Sequence, residues 1–184
     1  MRNRLRLALL SALVVGLVGT VAGAGTYAAF FSTTSNGGDA FAAGTVYVSD
    51  NDAGGAIVNM SNGKPTDTPI SGCIIVTYAG SLPATGKLYG SVSGSLAPYL
   101  TLTVSEGTSS SAFNSCATFG SATQVYNGAL SAFPTTYATG IASTDTTWTN
   151  TETHAYKFVV SVNNDAAAQG LVATATFTWE AQNQ

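Results

Sequence analysis

The chain has 184 residues, with six Lys plus Arg against nine Asp plus Glu, and three of the six basic residues are Arg2, Arg4 and Arg6. The remainder sets three lysines against nine acids, a net charge of −6 on a charge-poor body. That balance excludes nucleic acid and anionic membranes as partners, because both demand clustered Lys and Arg.

The N-terminus, MRNRLRLALLSALVVGLVGTVAGAG, places a basic flank before an apolar run over residues 7–21 and then small residues, the composition of a secretory signal peptide. An uncleaved anchor is the competing reading, since the run approaches the roughly 20 residues that span a bilayer. In either case the positive-inside bias sends the body of the chain outside. Membrane contact is thereby confined to the leader before cleavage. Removal of about 28 residues leaves roughly 156, enough for one domain with a sizeable core.

Short runs rich in Val, Thr, Tyr and Phe then recur between Gly, Ser, Asn and Pro clusters, which predicts strands over residues 40–49, 56–60, 73–78, 87–93, 99–104, 155–162 and 171–180. After the first, SDNDAGG offers Asp50 and Asp52 as oxygen ligands for calcium, but it lacks the third acid and distal Glu of a calcium loop. A tight turn is the simpler account. The two cysteines, Cys73 and Cys116, are expected to form a disulfide in an oxidising compartment. SLPATG, from Ser81 to Gly86, contains the letters of a sortase sorting signal. A strand begins directly after it, and cleavage at Thr85 would cut the sheet, so it reads as a turn.

Residues 107–153 read as long connections with scattered aromatics and one or two short elements, among them a short helix near residues 130–136. In the last two predicted strands the alternation is clearest. Tyr156, Phe158, Val160 and Val162 share one face, as do Leu171, Ala173, Ala175, Phe177 and Trp179. Seven short strands with turn residues between them predict an all-β fold, an antiparallel two-sheet sandwich, with the jelly roll as one member of that class.

Signals for chemistry are weak. His154 is the single histidine, and it could join Asp145 or Asp165 and a serine in a triad. No serine lies in G-x-S-x-G, and there is no HExxH. An exposed or strand-edge histidine is the simpler reading. Glu106, Glu152 and Glu180 could pair as glycosidase carboxylates, but scattered solvated acids explain them as well. We therefore expect no catalytic residues, no metal and no cofactor.

The stretch GTYAAFFSTTSNGGDAFAAGTVYVS resembles the start of TasA and camelysin-type proteins, in which a leader ending in G-T-[WY]-A-A-F precedes an A-G-T-[LV] strand. NMSNGKPTDTP is similar to that family's N-L-x-N-x-K-P-G-D segment, with Thr66 in place of the glycine. AGSLPA resembles its G-S-L-A turn, and TFTWEAQNQ its terminal strand. The Cys pair is not found in TasA itself, and no quoted motif anchors residues 107–153. The resemblance implies a jelly-roll body over residues 29–184 and cleavage between Ala28 and Ala29 by an endoplasmic-reticulum-type signal peptidase. It also implies an extracellular role as a subunit of biofilm matrix fibres.

Cleavage there would free residues 29–38, with Ala29, Phe30, Phe31 and the nearby Phe41 as anchors, to add as a donor strand to a neighbour's sheet. Repeated head to tail, that contact gives a homopolymer. A disordered leader to the first strand is the bland alternative. Two further readings stand beside the fibre. One is a camelysin-like secreted metalloprotease. The other is a carbohydrate-binding sandwich stacking sugars on Trp148, Tyr137 or Tyr99.

Overall fold

In a computed structural model that describes residues 43–108 and 112–184, eight strands form two antiparallel sheets. The strands are β1 (Val48–Asp50), β2 (Ile70–Tyr78), β3 (Ala84–Ser93), β4 (Leu100–Gly107), β5 (Thr123–Ala129), β6 (Ile141–Ala142), β7 (Glu152–Val162) and β8 (Thr174–Asn183). One sheet has the order β1-β2-β7-β4-β5 and the other β6-β3-β8.

Alternation in the sequence explains which residues meet between the sheets. Along β4, Leu100, Leu102 and Val104 are buried while Thr101, Thr103 and Ser105 are half-buried. Tyr156, Phe158 and Val160 do the same on β7. They meet β8 across the sandwich, with ring centroids 4.5 Å apart for Phe158–Phe177 and 5.3 Å for Tyr156–Trp179. Phe133, just past the 3-10 turn Leu130–Ala132, packs edge-on against Phe177 at 5.2 Å and closes the core from the side. Each such fully buried aromatic or aliphatic side chain stabilises the fold by about 1.5 to 3 kcal/mol.

The two sheets share a common pair of ends. Ile70 pairs with Val160, Leu100 with Val162 and Ser93 with Thr174, which defines a Thr174 end. At the other, the Gln184 end, Tyr78 pairs with Glu152 and Ala84 with Asn183. The chain reaches the body there: Thr45 N donates to Ser81 Oγ at 2.8 Å, and Leu82 N to Thr45 O at 3.3 Å.

Several sequence expectations need correction. Of the strand expected over residues 40–49, the described part is β only from Val48, and residues 40–42 lie outside the described residues. Residues 56–60 are not a strand. Asp50 Oδ1 accepts from Asp52 N at 3.1 Å and Asp52 Oδ1 from Gly54 N at 2.6 Å, while Ala53 and Asn62 take positive φ, so local turn bonds replace a ladder. The stretch expected to be mostly connection holds β5 and β6, and the helix expected near residues 130–136 is one 3-10 turn. β5 was hidden because it is an edge strand without a buried side chain, so the sequence carries little apolar alternation there.

LPATG lies partly inside β3. Gly86 packs so closely on the Trp148 ring that any Cβ would enter it, and Ala84 exchanges backbone hydrogen bonds with Trp148 at 2.7 and 3.1 Å. The Thr85–Gly86 bond is therefore held within a paired strand.

Candidate functional site

The five-stranded sheet is wider than its three-stranded partner, and the difference falls beside β8. Among the described residues β8 pairs only with β3. β1 approaches it, but through residues 174–177 and Trp179 β8 lines an open cleft of about 1400 Å³. The floor is apolar, formed by Leu100, Leu130, Phe158, Val160, Val162 and Phe177. The walls are the irregular stretches over residues 50–65 and 164–173. Ala175 shares the inward face of Phe177, yet it is exposed. The volume exceeds the roughly 300 to 1,000 Å³ of small-molecule pockets. A strand edge unpaired among the described residues, above an apolar floor, instead has the chemistry for an extended peptide, which supplies main-chain hydrogen bonds and alternate side chains.

One wall is braced by the disulfide expected from the sequence. Cys73 and Cys116 are bonded with Cα atoms 5.3 Å apart across a separation of 43 residues. Beside the bond, Asn114 N donates to Cys73 O at 2.8 Å and Asn114 Nδ2 to Ala56 O at 3.1 Å. The cross-link thus ties the Asn114 turn to both β2 and the wall.

A polar cluster is buried at the Gln184 end. Glu106, 3% exposed, continues the inward phase of Leu102 and Val104 on β4. Its carboxylate accepts from Ser143 Oγ at 2.5 Å, Thr144 N at 2.6 Å and Tyr156 OH at 3.1 Å, and His154 Nδ1 lies at 3.1 Å. Burial pushes its pKa up, but the hydrogen bonds from His154, Ser143 and Thr144 prevail and lower it to about 2. Burial raises Tyr156, and the Glu106 charge adds to that. His154 stacks on Trp148 with centroids 4.2 Å apart, and its Nε2 has no hydrogen-bond partner, the nearest carboxylate oxygen being Glu152 Oε1 at 3.8 Å.

These positions revise the sequence reading. His154 is buried rather than at an exposed edge, and Glu106 is not a solvated acid. Among the described residues no hydroxyl bonds to either nitrogen of His154, and Ser143 turns to Glu106 instead of forming a triad with it. Glu180 lies apart, bonded to Tyr89 OH at 2.7 Å. Trp148 is completely buried and offers no stacking platform, while Tyr99 and Tyr137 are half-buried. Asp50 and Asp52 are occupied as turn acceptors, and no group of three or more His, Cys, Asp or Glu among the described residues is placed to hold a metal. Ala28, Ala29, Phe30, Phe31 and Phe41 lie outside the described residues.

The Glu106 cluster was the main site feature missed from sequence. Its one signal was phase: an acid at an inward position of a strand must find donors in the core. No helix among the described residues is long and apolar enough to cross a membrane. No protein-family model matches the chain, and no curated protein matches it.

Proposed function

We propose that the chain is a secreted structural subunit of extracellular matrix fibres, built on a jelly-roll body and assembling head to tail by donation of its N-terminal strand. It is a structural protein in this reading, not an enzyme, and its partner is itself. One observation carries the proposal: the chain joins the body at the Gln184 end, whereas the edge of β8 that is unpaired among the described residues, and the cleft along it, open at the Thr174 end. A segment leaving one end is directed to the other end of the next copy, and repetition without closure gives a filament.

The strand order supports the jelly-roll reading. The runs β2-β7-β4-β5 and β6-β3-β8 follow the order of an eight-stranded double Greek key in which, among the described residues, one place beside β8 is without a strand. β1 pairs with β2 over only three residues and leaves most of that place open. A donated segment fills it. Entering from the Thr174 end with its own N-terminus leading, it runs antiparallel to β8. Phe30 and Phe31 supply apolar side chains of the kind the floor takes. The intramolecular disulfide fits an oxidising extracellular compartment.

The test is deletion of residues 29–38 from the processed chain. The expected product is a folded monomer that forms no filaments by electron microscopy. Filaments indistinguishable from those of the intact chain would overturn the mechanism.

A further inference from the structure

Four large apolar side chains are exposed among the described residues, and they lie at the two ends that head-to-tail assembly brings together. Val46, Tyr47 and Leu82 are 38%, 60% and 37% exposed at the Gln184 end, and Val172 is 74% exposed at the Thr174 end. Isolated apolar residues on a surface are ordinary, so position and rigidity carry the weight here. Tyr47 O accepts from Ala79 N at 2.9 Å, which fixes the backbone that presents its ring. Val172 O accepts from Leu96 N at 3.1 Å, beside Gly94, whose φ of 95° makes the tight turn. Two residues after Val172 the open edge of β8 begins. Both side chains are thus held out to solvent by ordered backbone.

We propose that Tyr47, flanked by Val46 and Leu82, forms a second contact between copies by packing on Val172 at the mouth of the neighbour's cleft. This contact rests on the donated-strand reading and extends it to a shoulder interface. Chain length sets the geometry. With the segment up to Ala42 lying in the neighbouring cleft, Tyr47 follows within five residues, at most about 17 Å of extended chain. That reach lets its ring arrive at the mouth. The shoulder covers the apolar side chains that the monomer leaves wet, and it fixes the rotation of one subunit on the next, which a single flexible strand would leave free.

The experiment uses the processed full chain and two readouts. The first is capture of a labelled synthetic peptide of residues 29–42, which reports the cleft alone. The second is the critical concentration for filament formation, which reports strand and shoulder together. Tyr47→Asp, which lies outside the cleft, is expected to capture the peptide as the unaltered chain does while raising the critical concentration about tenfold or more, and Val172→Asp, in the cleft wall, to raise it likewise. Combining Tyr47→Lys with Val172→Asp in one chain should restore assembly, because the two meet only between copies. Normal capture with an unchanged critical concentration in Tyr47→Asp would overturn the shoulder and leave the donated strand standing. Absence of peptide capture by the unaltered chain would overturn the donated strand, and the shoulder with it.

Discussion

Glu106 shows how one residue can be buried as a charge at tolerable cost. Desolvation disfavours its carboxylate, and the surrounding donors from Ser143, Thr144, Tyr156 and His154 more than offset that penalty. Removing the acceptor strands those donors in the core, so Glu106→Ala is expected to cost about 3 kcal/mol in urea unfolding. The lowered pKa also sets an acid response. Glu106 titrates at about 2 when folded against an ordinary 4.5, so its stabilisation is complete above pH 4.5 and is lost as pH falls toward 2. Melting temperatures measured across that window should fall for the unaltered chain and less steeply for Glu106→Gln. Trp148 illustrates the reverse error at this scale. An aromatic in a Thr-rich loop reads as exposed, and only the approach of Gly86 and the stacking of His154 bury it.

At the scale of elements, the strands that alternate were legible and those at edges were not. β7 and β8 were visible because their inward residues meet one another, whereas β5 pairs, among the described residues, with β4 alone, with a register irregularity between Val104 and Ser105. The disulfide joins these levels. It crosses from β2 to the Asn114 turn, whose side chain holds Ala56 in the cleft wall. In the chain-entropy picture a loop of this length stabilises by about 3 to 4 kcal/mol. The double variant Cys73→Ser/Cys116→Ser is therefore expected to lose about that amount by denaturant titration. Peptide capture should weaken with it, because the wall loses its brace.

For the whole molecule, the separation of donor and acceptor at opposite ends gives a prediction about mixtures. Ala175→Arg puts a long charged side chain into the cleft from an exposed position, so the fold should persist while acceptance fails. That variant still donates, and the chain lacking residues 29–38 still accepts. Each alone should stay monomeric, and an equimolar mixture should give a discrete heterodimer by analytical ultracentrifugation, because every further addition lacks one half of the contact. Filaments in either single sample would refute the polarity. Charge balance, strand period and cysteine count by themselves determined that the chain is an all-β sandwich with a disulfide, since these follow from local composition and alternation. Only the tertiary structure decided that, among the described residues, β8 has one unpaired edge beside an apolar cleft, and that Glu106, His154 and Trp148 pack together inside. Both depend on which strands become neighbours across long stretches of chain, and no local pattern encodes that.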